Sequence, residues 1–507
     1  MKEVKLLVEE KIITLNVQRY QPEKGQFTTS TYRIPVKKGM TLLDALLYVR
    51  DNIDGTLTIR HSCRMGICGS CSVIANGKHL LACYTQVLDL GSDTITVTPM
   101  QNLPMIRDLV PDLKPFFDKY KPIQPYLIKP DKDMLMEAEF TQKPEELKKY
   151  WNTTLCIKCG LCYSACPVVK SNPDFPGPAA TTTLYRFTID SRDSGGEARL
   201  QHTGPWLCYY CGDCSISCPK GVEPAESIMS MRRHLITNYD WTGISRMLYN
   251  SKKASIIFTL GLALLTLLLV WFLHGPIITD RIELTTFAPI EIVHNGGIIY
   301  GLLLAALLLS NLGRMYWFTV KKRTNGKHIP LSTYFKALKH LVSEFLAQAG
   351  YSRCTPKRAW INHLILMWGY TSLFILFAIL LPYTLVNTIL PLSNPLRLAG
   401  YFGFTALTYA TLYAIIGRVR KKEEFRKYSH HTDWMFLILL LLTSITGILI
   451  HIFIALNWPL PTYIIFAIHL AVVVPLLAEV PFGKWTHLAY RPFALYFNRL
   501  KREAGIQ

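Results

Sequence analysis

Acidic residues are the first scarcity in this 507-residue chain: 35 Asp and Glu stand against 55 Lys and Arg, a net charge of +20. Charged residues of both signs make up only 18%, while 50% of the chain is hydrophobic. So little charge among so many apolar side chains excludes a disordered chain and a nucleic-acid tail. The positive surplus calls instead for an acidic partner or a membrane surface. No G-x-G-x-x-G turn follows a strand, so no dinucleotide fold is expected. The start, Met1-Lys2-Glu3-Val4-Lys5, lacks the apolar stretch of a secretory signal. The N-terminal part is therefore expected in a reducing compartment, where clustered Cys hold metal rather than disulfides. Of the 13 Cys, only Cys354 lies beyond Cys218, and no long apolar run occurs before residue 254.

What is present divides the chain. Residues 1–100 read as a β-rich domain. Lys5–Glu9 and Ile12–Arg19 alternate in polarity and predict a hairpin, and Thr41 caps a helix to Val49. Apolar spacing over Leu103–Tyr120 predicts a helix, as do 144–155 and 179–190. These belong to a second, helical domain at 101–240. Met231–Lys253 reads as a surface helix and linker. In 241–507, six apolar segments follow at about 254–274, 288–312, 360–385, 398–417, 433–456 and 460–482. Each has the ~20 residues needed to cross about 30 Å of hydrocarbon. The connections 313–357, 418–431 and the tail after 483 hold nine, six and five Lys or Arg, and the opposite connections almost none. The positive-inside rule then places both termini in the cytoplasm of a multi-pass protein of the inner (cytoplasmic) membrane.

The cysteines fall into three groups. Cys63-x4-Cys68-x2-Cys71-x11-Cys83 has the plant-type ferredoxin spacing for a [2Fe–2S] cluster. Cys156-x2-Cys159-x2-Cys162-x3-Cys166-Pro167 is the bacterial ferredoxin run, and it recurs as Cys208-x2-Cys211-x2-Cys214-x3-Cys218-Pro219. In two-cluster ferredoxins the fourth Cys of each run ligates the other cluster. One [4Fe–4S] centre is therefore expected on Cys156, Cys159, Cys162 and Cys218, the other on Cys166, Cys208, Cys211 and Cys214. The fold class that results is α+β in the N-terminal half: a β-grasp [2Fe–2S] ferredoxin domain, then an α-helical two-cluster ferredoxin domain. An all-α six-helix transmembrane bundle follows.

Residues 1–240 resemble the iron–sulfur subunit of succinate dehydrogenase and fumarate reductase. The resemblance is carried by Ser62-Cys63-Arg64-Met65-Gly66-Ile67-Cys68-Gly69-Ser70-Cys71, by Ile106-Arg107-Asp108-Leu109-Val110 and by Cys218-Pro219-Lys220-Gly221. It implies a separate FAD-containing catalytic subunit and exchange of electrons with a membrane quinone. This chain departs from the pattern at Cys211, where the family has a non-cysteine residue and a [3Fe–4S] centre. It departs again at Tyr209 and Val168-Val169-Lys170, where the family has a His and a Trp lining a quinone pocket.

The C-terminal half is similar to the cytochrome b family of the nitrate reductase gamma subunit and the heterodisulfide reductase membrane subunit. The carrying residues are His363-Leu364-Ile365-Leu366-Met367-Trp368-Gly369, then His469-Leu470 through Pro481-Phe482-Gly483-Lys484-Trp485-Thr486-His487. Ionisable residues within apolar spans point to function, and His469 and His487 lie about 27 Å apart along a helix. Two haems b are expected, on His363/His487 at the inner face and on His451/His469 towards the outer face. The nitrate reductase member has a second His on the third span where this chain has Leu373, and His294 is the rival to His451, with His274 behind it. Together these features describe the electron-transfer subunit of a succinate dehydrogenase or fumarate reductase. The alternatives are an equivalent subunit of a heterodisulfide reductase-like, glycerol-3-phosphate or 2-hydroxyacid oxidoreductase. A transporter that carries clusters is a third reading, which b-haem spectra separate.

Overall fold

The computed structural model describes residues 11–130, 139–324, 328–348, 350–354, 357–385, 387 and 389–506. The chain forms two compact units, Met1–Met231 and Arg232–Gln507.

The first unit opens with a sheet of strands β1 (Lys11–Gln21), β2 (Gln26–Val36), β3 (Ser72–Ala75), β4 (Lys78–Leu81) and β5 (Thr94–Thr98), in the order β2-β1-β5-β3-β4. Ile13, Leu15 and Val17 alternate inward from β1, and Tyr32, Ile34 and Val36 do the same from β2. They bury their side chains with helix α1 (Leu42–Asn52), whose Leu42, Leu43, Leu46 and Val49 complete this core. Thr41 caps α1: its hydroxyl accepts from the Asp44 amide at 3.1 Å, and the Asp44 carboxylate accepts from the Thr41 amide at 3.1 Å. Such a cap is worth about 1 kcal/mol.

One expected strand cannot be followed and one expected helix has a different structure. Lys5–Glu9 lies outside the described residues, and the antiparallel partner of Ile12–Arg19 along its whole length is β2. The segment Leu103–Tyr120 is not one helix. It forms a small hairpin, β6 (Met105–Arg107) with β7 (Val110–Pro111), followed by a helix at Lys114–Asp118. The cause is a distant side chain. The Asp108 carboxylate is buried and accepts from Arg19 Nε at 2.9 Å, Arg19 Nη2 at 3.1 Å and the Thr58 amide at 2.8 Å. Pairing that carboxylate holds Asp108 in a left-handed turn (φ 45°), which breaks the helical run.

The rest of this unit is short helices around the cysteine runs, including Leu161–Ser164, Pro178–Thr188 and Asp213–Ile216. Their frame includes a fully buried ion pair, Arg199–Asp193 at 2.9 Å, with side chains only 1% and 2% exposed. Arg199 also donates to the carbonyls of Ile123, Gln124 and Tyr126. Asp193→Ala leaves that guanidinium buried without its carboxylate, an expected loss of about 3–5 kcal/mol. In a urea titration followed by visible cluster absorbance, the variant is expected to bleach at clearly lower denaturant.

The second unit contains six helices long and apolar enough to cross a membrane: Lys252–Leu273, Ile290–Arg323, Lys357–Ile379, Pro395–Arg420, His431–Ala455 and Pro459–Phe482. They coincide with the six expected segments and are called spans one to six below. Spans three to six share an apolar core that includes Leu373, Leu407, Phe436, Leu440 and Leu476. Spans three and four approach closely where Gly369 and Gly403 meet: a Cβ on Gly369 would lie 2.7 Å from Ala406 Cβ. Small residues that let backbones approach are the usual basis of packing between apolar helices. The two longest described helices that lie within this unit but outside the spans are Leu331–Ala347 and His487–Glu503.

Candidate functional site

The loop from Cys63 to Cys71 is built to present sulfur to backbone donors. Arg64, Gly66 and Gly69 all take positive φ (55°, 70° and 71°), which curls the chain around one centre. The amides of Met65, Ile67 and Cys68 donate to Cys63 Sγ at 3.5, 3.4 and 3.2 Å. These bonds, that from Met65 first, hold the half-buried Cys63 thiol well below its ordinary range, at about 6. Burial acts oppositely on Cys71, pushed up to about 12, where the Cys83 amide donates to its sulfur at 3.4 Å. A bare thiolate is disfavoured there, and bonds to iron compensate that cost.

The two later runs repeat one backbone pattern. In the first, Lys158 and Gly160 have φ of 54° and 80°; in the second, Tyr210 and Gly212 have 59° and 90°. Each pair of left-handed residues brackets the middle Cys, and a short helix then carries the third Cys back to the same centre. Cys156, Cys159, Cys162 and Cys218 line a single cavity with Pro219, Lys220 and Gly160. Cys166 lies within electrostatic reach of Cys208 and Cys211, and Cys214 within reach of Cys208, Cys211 and Cys166. The structure thus brings each set of four together, including the Cys exchanged between runs. Among the described residues no three close as tightly as the ligands of a single ion. Sulfurs spaced around a cavity are what a multi-iron group requires.

The first two cysteine loops touch at Gly69. A Cβ there would sit 2.7 Å from Cys159 Cβ and 2.8 Å from its Cα. Ser72 Oγ spans the same junction, with the carbonyls of Gly69 at 2.8 Å and Cys159 at 3.1 Å. Asn102 fixes the far side by donating to the carbonyls of Tyr163, Ser164 and Cys166. Gly69→Ala is expected to force the two loops apart while leaving the iron content unchanged. Magnetic coupling between the two reduced centres, read by EPR relaxation, should weaken. Equal relaxation in the variant and the parent would show that the contact does not set the spacing.

In the second unit, His363 and His487 face each other with ring centroids 6.2 Å apart at 66°. Two imidazoles bound to one metal at about 2.0–2.1 Å per bond place their centroids ~6 Å apart. Both rings are oriented from behind. His363 Nδ1 lies 2.8 Å from Gln348 Oε1, and His487 Nδ1 lies 2.8 Å from the Lys484 carbonyl. Oxygen acceptors at Nδ1 put the proton there and leave the Nε2 lone pair for a metal. The residues therefore fit a bis-histidine haem. Gln348 carried no sequence signal: it is 15 residues before His363, beyond the end of a different helix.

His469 is prepared in the same way. Its Nδ1 lies 2.7 Å from Thr446 Oγ1, whose own proton goes to the Leu442 carbonyl. His451, expected opposite His469, makes a different contact. Span five runs antiparallel to span six with Thr446 level with His469, so His451 lies five residues, about 7.5 Å, further along the axis. Its Nε2 is taken by the Tyr401 hydroxyl at 2.8 Å. The rival is better placed in depth. Spans two and six run parallel, and Tyr300 donates to the Val474 carbonyl at 2.9 Å. Stepping back six and five residues from that contact reaches His294 and His469, level to within roughly 2 Å. His274 is bonded through Nδ1 to the Gly275 carbonyl and stacked on Phe287.

Comparison with known proteins now defines the class. Residues 14–118 match the "2Fe-2S iron-sulfur cluster binding domain" family and residues 152–222 the "4Fe-4S dicluster domain" family. The fumarate reductase iron–sulfur subunit of Mycobacterium tuberculosis is 43% identical over 221 residues, covering 43% of this chain and 90% of that protein. That of Haemophilus influenzae is 41% identical over 232 residues, with shares of 43% and 90%. The succinate dehydrogenase iron–sulfur subunit of Paracoccus denitrificans is 38% identical over 232 residues, with shares of 44% and 87%. The chain is thus an iron–sulfur protein of the oxidoreductase class. It belongs to the family of succinate dehydrogenase and fumarate reductase iron–sulfur subunits, joined here to a six-helix apolar region.

Proposed function

We propose that this chain is the combined iron–sulfur and cytochrome b subunit of a membrane-bound succinate dehydrogenase or fumarate reductase. It relays electrons between an FAD-containing catalytic subunit on the cytoplasmic side and the membrane quinone pool. The carrying observation is that one polypeptide holds three groups of four cysteines and a half-buried, facing histidine pair with both Nδ1 atoms anchored. The groups implied, one [2Fe–2S], two [4Fe–4S] and two haems b, supply one-electron chemistry.

This chain's residues do the positioning. In this reading Cys63, Cys68, Cys71 and Cys83 hold the first cluster. Cys156, Cys159, Cys162 and Cys218 hold the second, and Cys166, Cys208, Cys211 and Cys214 the third. The backbone amides around Cys63 and Cys71 stabilise the sulfur charge. Gly69 and Ser72 keep the first two cradles in contact. Gln348 and the Lys484 carbonyl set the orientation of His363 and His487 for the inner haem. For the outer haem, His469 held by Thr446 is one ligand and His294, at its depth, the other.

Tagged full-length chain solubilised from native membranes tests this reading. A co-purifying flavoprotein that oxidises succinate or reduces fumarate, with b-haem absorbance reduced through it, is the expected result. Copurification with a glycerol-3-phosphate, 2-hydroxyacid or disulfide oxidoreductase would reassign the substrate and keep the relay. Absence of b-haem absorbance would overturn the cytochrome reading.

A further inference from the structure

The helix Leu331–Ala347 belongs to the strongly basic connection between spans two and three, where the sequence alone shows only charge. Its structure has three distinct faces. Tyr334, Ala337, Leu341, Glu344 and Phe345 turn away from solvent. On this side the Tyr334 carbonyl accepts from the Tyr496 hydroxyl at 3.2 Å and Glu344 pairs with Arg491 at 3.4 Å, both on the helix His487–Glu503. A second face carries exposed Ser332 and Lys336. Between them runs a stripe of Leu331, Phe335, Leu338, Val342 and Leu346, which are 69%, 66%, 42%, 49% and 53% exposed. At 3.6 residues per turn these five fall within about 80° of one another around the axis. Five large apolar side chains in one continuous exposed row need a covering surface.

The helix is tied at both ends to the edge of the apolar bundle. Near its start, the Tyr334 hydroxyl lies 2.6 Å from that of Tyr316, in the last turn of the helix Ile290–Thr319. At its end, the Ala347 carbonyl accepts from Trp360 Nε1 at 3.1 Å and Gln348 meets His363, both early in span three. Spans two and three meet this connection on the same side of the bundle. A helix about 25 Å long, pinned at each end to that edge, lies across the bundle rather than along it. Trp317, 52% exposed beside Tyr316, marks the level at which aromatic side chains gather at a membrane–water boundary.

We propose that Leu331–Ala347 lies in the plane of the membrane interface, its apolar stripe covered by lipid. Exposed Lys321, Lys322 and Lys336 favour an anionic headgroup layer beside it. The inference rests on the membrane reading of the six spans but not on the identity of the redox partner. Through Gln348, the same helix orients His363, so the lipid surface and the inner histidine pair share one rigid element.

Nitroxide labels on full-length, cluster-loaded chain test the placement. The protein is reconstituted without a flavoprotein in phosphatidylcholine–phosphatidylglycerol bilayers. Labels are placed at Phe335→Cys, at Lys336→Cys and, as a control on span two, at Leu303→Cys, which is 56% exposed; Cys354 is buried. The labels at 335 and 303 should be relaxed more by oxygen than by a water-soluble nickel chelate, and the label at 336 the reverse. Nickel access at 335 matching that at 336, with 303 still protected, would overturn the proposal alone. Nickel access at both 335 and 303 would overturn the membrane reading and the proposal with it. Protection at 335 that appears only when the flavoprotein is added would assign the stripe to a protein partner and overturn the lipid assignment.

Discussion

Cys211→Ser is expected to convert the third cluster from four irons to three. Cys211 sits among Cys166, Cys208 and Cys214 at the position where the resembling family has no cysteine. A full set of four thiolates favours [4Fe–4S], so the oxidised parent protein should show no [3Fe–4S] EPR signal. Removing one thiolate while keeping the cradle should create that signal and lower the iron content from about ten to about nine per chain. The reduction potential of that centre should rise, because cluster type and net charge set it. An unchanged spectrum and iron content would show that Cys211 is not a ligand. Complete loss of the cluster, with the other two intact, would show a ligand whose serine replacement the cradle does not tolerate.

The second large effect concerns the histidines. His487→Ala is expected to remove the inner haem and about half of the pyridine haemochrome absorbance, leaving the iron–sulfur signals unchanged. His469→Ala and His294→Ala are each expected to remove the other half. His451→Ala is expected to retain both haems, because its Nε2 is already engaged by Tyr401. Loss of a haem in His451→Ala with retention in His294→Ala would restore His451 as the outer ligand. A milder companion is Gln348→Leu: with the His363 Nδ1–H acceptor gone, haem content should persist while its midpoint potential and EPR anisotropy shift. Loss of an outer-shell partner of this kind costs roughly 10–100-fold in metal affinity or activity in other sites.

How much was legible before the structure depended on how local each signal was. The cysteine runs are local: Cys156 to Cys166 spans 11 positions, and the turn geometry at Gly160 is written into the same stretch. The six spans were readable because hydrocarbon thickness fixes their length. The depth of a histidine is readable only when the register between helices is known. His363 and His487 sit near helix ends, where the count from the membrane edge is short. The level of His451, on span five, against span six depends on how those two antiparallel helices are offset, which the Thr446–His469 contact fixes and the sequence does not. Asp108 shows the opposite limit. Its neighbours space like a helix, but Arg19, 89 residues away, sets the conformation. Leu331–Ala347 was hidden because the connection was read only for its charge, and an apolar stripe broken by Lys336 and Lys339 is shorter than a span.

The exchange of Cys166 and Cys218 between the two later runs has a consequence for assembly. Neither cradle is complete within its own stretch of chain, so neither cluster is fully ligated until the 52 residues from Cys166 to Cys218 have folded back on themselves. Inserting the first cluster brings the second run close and raises the effective concentration of its remaining thiols. Loading should therefore be cooperative. Under iron limitation, a population of this protein should divide into chains with both cubanes and chains with neither. On the ligand sets proposed above, the first of these clusters would wait for its last ligand until Cys218 has left the ribosome.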